Sequence, residues 1–191
     1  WDFVDVWAID ENTTTAFLQG LPNPSAINKD NFDFAQLEGE GTEENPYIIH
    51  NLKELQAVSG ELNSYYVLAN NITIEDGYNF VPLGTESNPF TGSFDGNGYT
   101  ISNLTIDSLF ENAGLFGAVD SATIKNLNIT NASINTVSDK AGVLAGSVIG
   151  NANINSINIS GKVNSTANYT GGLIGKVSSG SLNTINITDI N

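Results

Sequence analysis

Repetition constrains this chain more than any other feature. Leu115-Phe116-Gly117, Leu144-Ala145-Gly146 and Leu173-Ile174-Gly175 recur at spacings of 29 and 29 residues. A second series runs beside them: Asn71-Ile72-Thr73-Ile74, Asn103-Leu104-Thr105-Ile106, Asn126-Leu127-Asn128-Ile129, Ser156-Ile157-Asn158-Ile159 and Thr184-Ile185-Asn186-Ile187, whose starts lie 32, 23, 30 and 28 residues apart. Each unit alternates polar and apolar residues, the period-2 signature of a strand with one buried face. Gly, Asn, Ser and Asp crowd the segments between, and β-branched residues dominate the units. One such strand cannot bury its apolar face alone, but stacked copies can. The expected fold is therefore all-β: a right-handed parallel β-helix or β-solenoid of about five coils, with about three short strands per coil and ~4.8 Å per rung. Helical periodicity is confined to residues 52–60, where Leu52, Leu55, Gln56 and Ser59 predict a short helix.

The alternation also assigns faces. Leu104/Ile106, Leu127/Ile129, Ile157/Ile159 and Ile185/Ile187 are expected to point inward as aliphatic ladders, with Thr105, Asn128, Asn158 and Asn186 outward. The residue opening each unit (Asn71, Asn103, Asn126, Ser156, Thr184) is placed where the coil bends, because a short amide there can bond backbone groups that the turn leaves unpaired. Glycines of the Leu-any-Gly series mark a close backbone approach on a third face.

Composition narrows the chemistry. The 191 residues include 27 Asn, 21 Asp and Glu, 6 Lys, no Arg, one His and no Cys, for a net charge of −15. Such a charge repels phosphate backbones and argues against nucleic-acid and anionic-membrane partners. Without Cys there is neither a disulfide nor a thiolate, and His50 alone cannot supply a multi-histidine metal site. The charge is also lopsided, since residues 1–111 hold 18 acids and 2 Lys whereas 112–191 hold 3 acids and 4 Lys. No apolar run approaches the ~18 residues of a membrane span, so no membrane insertion by this segment is expected.

Candidate sites are few. The acidic run Glu38, Glu40, Glu43 and Glu44 is the one cation candidate, and calcium is the hard cation it would suit; no other cofactor or metal is expected. Asp95-Gly96-Asn97-Gly98 reads as a structural turn, because the spacing of a full calcium loop is missing. A carboxylate pair for polysaccharide cleavage has little to draw on, as the coils carry only Asp107, Asp120, Asp139 and Asp189 and no Arg neutralises a uronate. His50, after Ile48-Ile49, reads as a packed or surface residue. Trp1, Phe3 and Trp7 read as aromatics covering an exposed end of the core. Nine Asn-any-Ser/Thr sequons begin at Asn12, Asn71, Asn103, Asn128, Asn131, Asn158, Asn164, Asn168 and Asn186, and most follow from composition alone.

These motifs resemble the GLUG repeat of bacterial and archaeal surface proteins, named for Gly-Leu-any-Gly. Gly114-Leu115-Phe116-Gly117 and Gly172-Leu173-Ile174-Gly175 match it fully, and Val143 stands for the first Gly in the middle copy. Gly41-Thr42-Glu43-Glu44-Asn45-Pro46-Tyr47-Ile48-Ile49 is similar to the opening of such a module, and Phe90-Thr91-Gly92-Ser93-Phe94-Asp95-Gly96-Asn97-Gly98-Tyr99-Thr100-Ile101 to its long turn. Related repeats precede the catalytic domain of streptococcal immunoglobulin A1 metallopeptidases, but the His-Glu-any-any-His zinc motif is missing here.

The resemblance implies a non-enzymatic, extracellular β-solenoid segment of a cell-surface adhesin-like protein, acting as stalk, spacer or recognition surface. Its partners would be a host or cell-surface glycan or protein and neighbouring modules of the same chain. A polysaccharide-processing enzyme or a glycan-binding module on a β-helix is the alternative. Residues 1–18 are expected to close a preceding module, 19–40 to form a linker, and 41–191 to form the solenoid module. Nothing after Ile187 resembles a cap, so a further coil is expected in the parent protein.

Overall fold

A computed structural model describes residues 7–9, 16–18, 36–108, 112–137, 139–166 and 168–190. The expectations for residues 1–18 and for the linker 19–40, Trp1 and Phe3 included, fall almost wholly outside the described residues. Within that part, strands β1 (Trp7–Ile9) and β2 (Ala16–Leu18) pair antiparallel, Trp7 opposite Leu18.

The rest is a parallel β-solenoid of about four turns with one short helix. Its tallest stack runs through β3 (Tyr47–Ile49), β4 (Tyr65–Leu68), β6 (Ser93–Asp95), β11 (Thr123–Thr136), β14 (Ala152–Ser165) and β17 (Gly180–Ile190). Beside it, β5 (Ile72–Thr73) pairs with β7 (Thr100–Ser102), which pairs with the middle of β11, while β8 (Thr105–Ser108) pairs with the end of β11. Two smaller parallel sheets close the section: β9 (Asn112–Ala113), β12 (Lys140–Ala141) and β15 (Tyr169–Thr170), and then β10 (Phe116–Val119), β13 (Ala145–Val148) and β16 (Ile174–Val177). There are about four turns rather than five because residues 74–90, which close the rung of β4 and β5, form no strand, and the last rung contributes only β17.

The inward ladders form as the alternation predicts. Leu127 stacks on Ile157 and Ile129 on Ile159, each at most 2% exposed, and Leu104 and Ile106 are fully buried. Towards the first rungs the filling turns aromatic: Tyr66, Phe90 and Phe116 lie 6.3 and 4.9 Å apart in sequence, and Phe94 meets Phe116 edge-on at 5.6 Å. The last pair differs. Ile185 is half-buried and Ile187 is 49% exposed, because no strand among the described residues stacks on the outer side of β17.

The column assignment needs two corrections. Asn103-Leu104-Thr105-Ile106 does not stack on Asn126-Leu127-Asn128-Ile129; Ile106 sits opposite Ile134, and Asn131 bonds Asn103 side chain to side chain at 2.8 Å. Ile72 pairs with Ile101, which pairs with Ile129, so the Asn71 unit is offset by two residues from its expected register. Both slips preserve the inward face. A period of 2 is blind to a shift of 2, and two successive strands of one coil both carry inward aliphatics.

The bends are left-handed. Asn103, Asn126, Asn131, Ser156 and Thr184 have φ between 52° and 61°, a region that Asn tolerates better than most residues because its short polar side chain bonds locally. Asn71, two residues out of column, is not among them. On the third face the middle repeat makes its close backbone approach at Gly142. A Cβ on Gly142 would meet Leu173 O at 2.6 Å, as one on Gly114 would meet Gly142 O at 2.7 Å. Val143, buried, stacks on Gly172 of the next rung and so stands where the last repeat has its first motif glycine, while the first repeat is one residue shorter between its paired strands.

Candidate functional site

Helix α1 (Leu52–Ala57) lies beside the early rungs and is fixed at its start by reciprocal capping. Glu54 N donates to Asn51 Oδ1 at 3.1 Å, while His50 N donates to Glu54 Oε2 at 2.7 Å; one first-turn donor of the helix and the N–H just before its cap are thereby satisfied. The imidazole of His50 lies 3.4 Å from the same carboxylate and is exposed, as the sequence suggests. Inside the helix, buried Gln56 clamps the following segment. Its Nε2 donates to Val81 O at 2.9 Å and its Oε1 accepts from Val81 N at 3.1 Å and from the Tyr78 hydroxyl at 3.4 Å. Half-burial pushes the Tyr78 phenol up to about 12, so it stays protonated and a donor.

Between α1, β5 and Tyr78 runs an open groove of about 440 Å³. Leu52, Ile72 and Tyr78 supply its apolar lining, and His50, Lys53, Asn71, Thr73 and Glu75 its polar lining. Asn71 is held from behind, since its Oδ1 accepts from Thr100 N at 2.9 Å, and Thr73 accepts from the Ser102 hydroxyl at 3.0 Å. The sequence reading singled out Asn71 for its bend and sequon and His50 for its chemistry. It did not connect them to Glu75 and Tyr78, because nothing in the spacing reveals that a helix inserted into the first rungs leaves a concavity.

The outward face is an amide surface. Asn186 donates to Asn158 at 2.6 Å, Asn158 to Asn128 at 2.7 Å, and Asn128 to Gly98 O at 2.7 Å; a parallel ladder joins Asn164 to Asn135 at 3.0 Å. With Asn131 bonded to Asn103 and Asn168 to Asp139, the amide nitrogens of six of the nine sequons are engaged between rungs. These side chains hold the stack together.

Glu38, Glu40, Glu43 and Glu44 are all exposed on one loop, whose backbone is tied down by Ile48 N to Glu38 O at 2.8 Å and Glu40 N to Asn45 O at 2.9 Å. Among the described residues no three His, Cys, Asp or Glu side chains converge into a metal-holding group, whereas calcium takes six to eight oxygens. If the loop holds calcium, melting should rise with millimolar calcium, fall back in chelator and lose the rise when the four Glu are changed to Gln; an unchanged melting temperature would leave it without a site. Asp95 is already committed, accepting from Asn97 N at 2.8 Å and Asn126 Nδ2 at 3.0 Å and pairing with Lys125 at 3.2 Å.

A second ion pair crosses rungs on the far side, with Lys140 Nζ 3.0 Å from Glu86. The Lys140 hydrogen bond, with smaller contributions from Ser147 and Lys176, holds the Glu86 carboxyl below its ordinary 4.5, outweighing the opposite effect of partial burial. A depressed carboxyl stabilises the fold above its unfolded value and loses that contribution as pH falls through the folded one. Glu86→Gln should therefore cost up to about 1 kcal/mol at pH 7, the size expected for a partly exposed pair. In acid well below 4.5 it should cost nothing, which urea titrations at the two pH values will show.

No family model matches the chain. Over 126 residues it is 45% identical to halomucin of Haloquadratum walsbyi, covering 59% of this chain and 1% of halomucin. Over 120 residues it is 32% identical to a candidate Gly-rich membrane protein of Evansella cellulosilytica, covering 57% of this chain and 14% of that one. The chain thus spans a small part of the curated relatives it matches. Among solved structures, a candidate immunoglobulin A1 protease from Bacteroides ovatus superposes with a TM-score of 0.56 at 22% identity, over 65% of this chain and 40% of that one. At that identity the likeness concerns the fold alone.

Proposed function

We propose that this chain is a non-catalytic segment of an extracellular, adhesin-like cell-surface protein, serving as spacer and as recognition surface. The observation that carries the reading is the stack itself. Similar rungs joined by aliphatic ladders inside and amide ladders outside make a stack whose length grows with repeat number, and whose outer amide side chains recur from rung to rung. The matches to short parts of halomucin and of a Gly-rich membrane protein support a surface location. The GLUG-like motifs agree with it.

A catalytic reading has one observation in its favour, the fold shared with a candidate protease. Incubating the chain with immunoglobulin A1 and with a panel of polysaccharides, and following peptide and reducing-end release, separates the two. No turnover above a heat-denatured control is expected. Turnover that scales with enzyme concentration would overturn the proposal. Antibody labelling of intact cells that carry the parent protein tests the location.

A further inference from the structure

We infer that the groove between α1 and β5 binds a neutral hexose unit of a polysaccharide, an assignment that rests on the recognition reading above and gives it a ligand class. Its volume, about 440 Å³, lies in the ~300–1,000 Å³ range of small-molecule sites. It combines one aromatic ring with three polar groups that have no partner on the groove side among the described residues. Those groups are the Asn71 amide nitrogen, the Glu75 carboxylate and the second imidazole nitrogen of His50. A planar amide donor, a planar carboxylate acceptor and an imidazole match vicinal hydroxyls, each of which both donates and accepts. A sugar ring turns its C–H face to an aromatic, and Tyr78 offers one.

The elements behind these groups are already fixed. Gln56 ties Tyr78 and Val81 to the helix, and Thr100 N holds Asn71 from the neighbouring rung, so binding orders little that is not ordered beforehand. Charge decides between ligand types. Glu54, Glu75 and Asp76 stand at or beside the groove and outnumber the one cation of its lining, Lys53, in a chain of net charge −15, which disfavours a uronate or sulfated sugar. His50, Glu54 and Glu75 do not converge into a metal-holding cluster, and none is found among the described residues.

The test titrates the intact 191-residue chain with glucan, mannan and galactan tetrasaccharides and with tetragalacturonate, by amide chemical shifts or calorimetry. At least one neutral tetrasaccharide should bind with a millimolar or tighter Kd and perturb residues 50–53 and 71–78. Glu75→Ala, at an exposed residue whose side chain makes no internal bond among the described residues, should weaken it about tenfold, the size of one good hydrogen bond. Tyr78→Ala should weaken it further, Tyr78→Phe should retain binding because it keeps the ring, and Lys125→Gln on another face should change nothing. Failure of every neutral tetrasaccharide, tighter binding of tetragalacturonate, or an unaffected Glu75→Ala variant would overturn the assignment and leave the spacer reading standing. Hydrolysis of a bound tetrasaccharide would do the reverse, supporting the groove and overturning the non-catalytic proposal.

Discussion

Leu127→Ala is expected to lower stability by ~2–5 kcal/mol, the cost of a buried cavity that its surroundings cannot fill. Leu127 is wholly buried and stacks on Ile157, which stacks on Ile185. In a column of aliphatics one rung apart, removing one side chain exposes a gap above and below. The strand backbones that frame the gap are hydrogen-bonded in register and resist closing it. One residue on, Asn128 faces outward and donates to Gly98 O at 2.7 Å while accepting from Asn158. Asn128→Ala removes exposed hydrogen bonds rather than core volume and should cost about 1 kcal/mol. Urea midpoints for the two variants, at unchanged m-value, decide the matter. Equal losses would show that residues 127 and 128 do not lie on opposite faces.

That pair illustrates how much of the fold was legible. The inward and outward assignment of residues 127–129 and 157–159 followed from alternation alone, because the pleat forces successive side chains to opposite faces. Which columns stack did not follow. Asn103-Leu104-Thr105-Ile106 copies the pattern of Asn126-Leu127-Asn128-Ile129, yet it lies one strand further around the coil. The distinguishing information sits in connection lengths: Asp95-Gly96-Asn97-Gly98 loops out of the rung before β7, which displaces the apparent repeat.

The groove was less legible than the fold. Leu52, Leu55, Gln56 and Ser59 showed the helix, but the partner of Gln56 is 25 residues away at Val81 and no local pattern announces it. Long-range polar clamps of this kind are chosen by geometry, not periodicity. The acidic loop stood out in the sequence because charge is visible residue by residue. Convergence of carboxylates on one point is not, and on the described loop the four glutamates stay exposed.

The sharpest test of rung spacing is a comparison of two glycines in one turn. An added Cβ on Gly96 would fall 2.5 Å from Asn126 O and 2.6 Å from Leu127 Cα, both backbone atoms of the next rung. Neither can swing aside, so Gly96→Ala must push the rungs apart where Gly96 N bonds Lys125 O at 2.8 Å and Gly98 N bonds Asn126 O at 2.8 Å. The expected loss is about 3 kcal/mol or more, at the upper end of overpacking effects. Gly98 is the converse case. Its φ of +79° is left-handed, and nothing lies within 4 Å of the added atom. Gly98→Ala should therefore cost only the conformational penalty of a left-handed alanine, about 1–2 kcal/mol. If close approach between rungs governs this corner, the Gly96 variant unfolds at much lower urea than the Gly98 variant. The opposite order would mean that the conformation of the turn sets the constraint, and the tight stacking at residues 96, 126 and 127 would have to be given up.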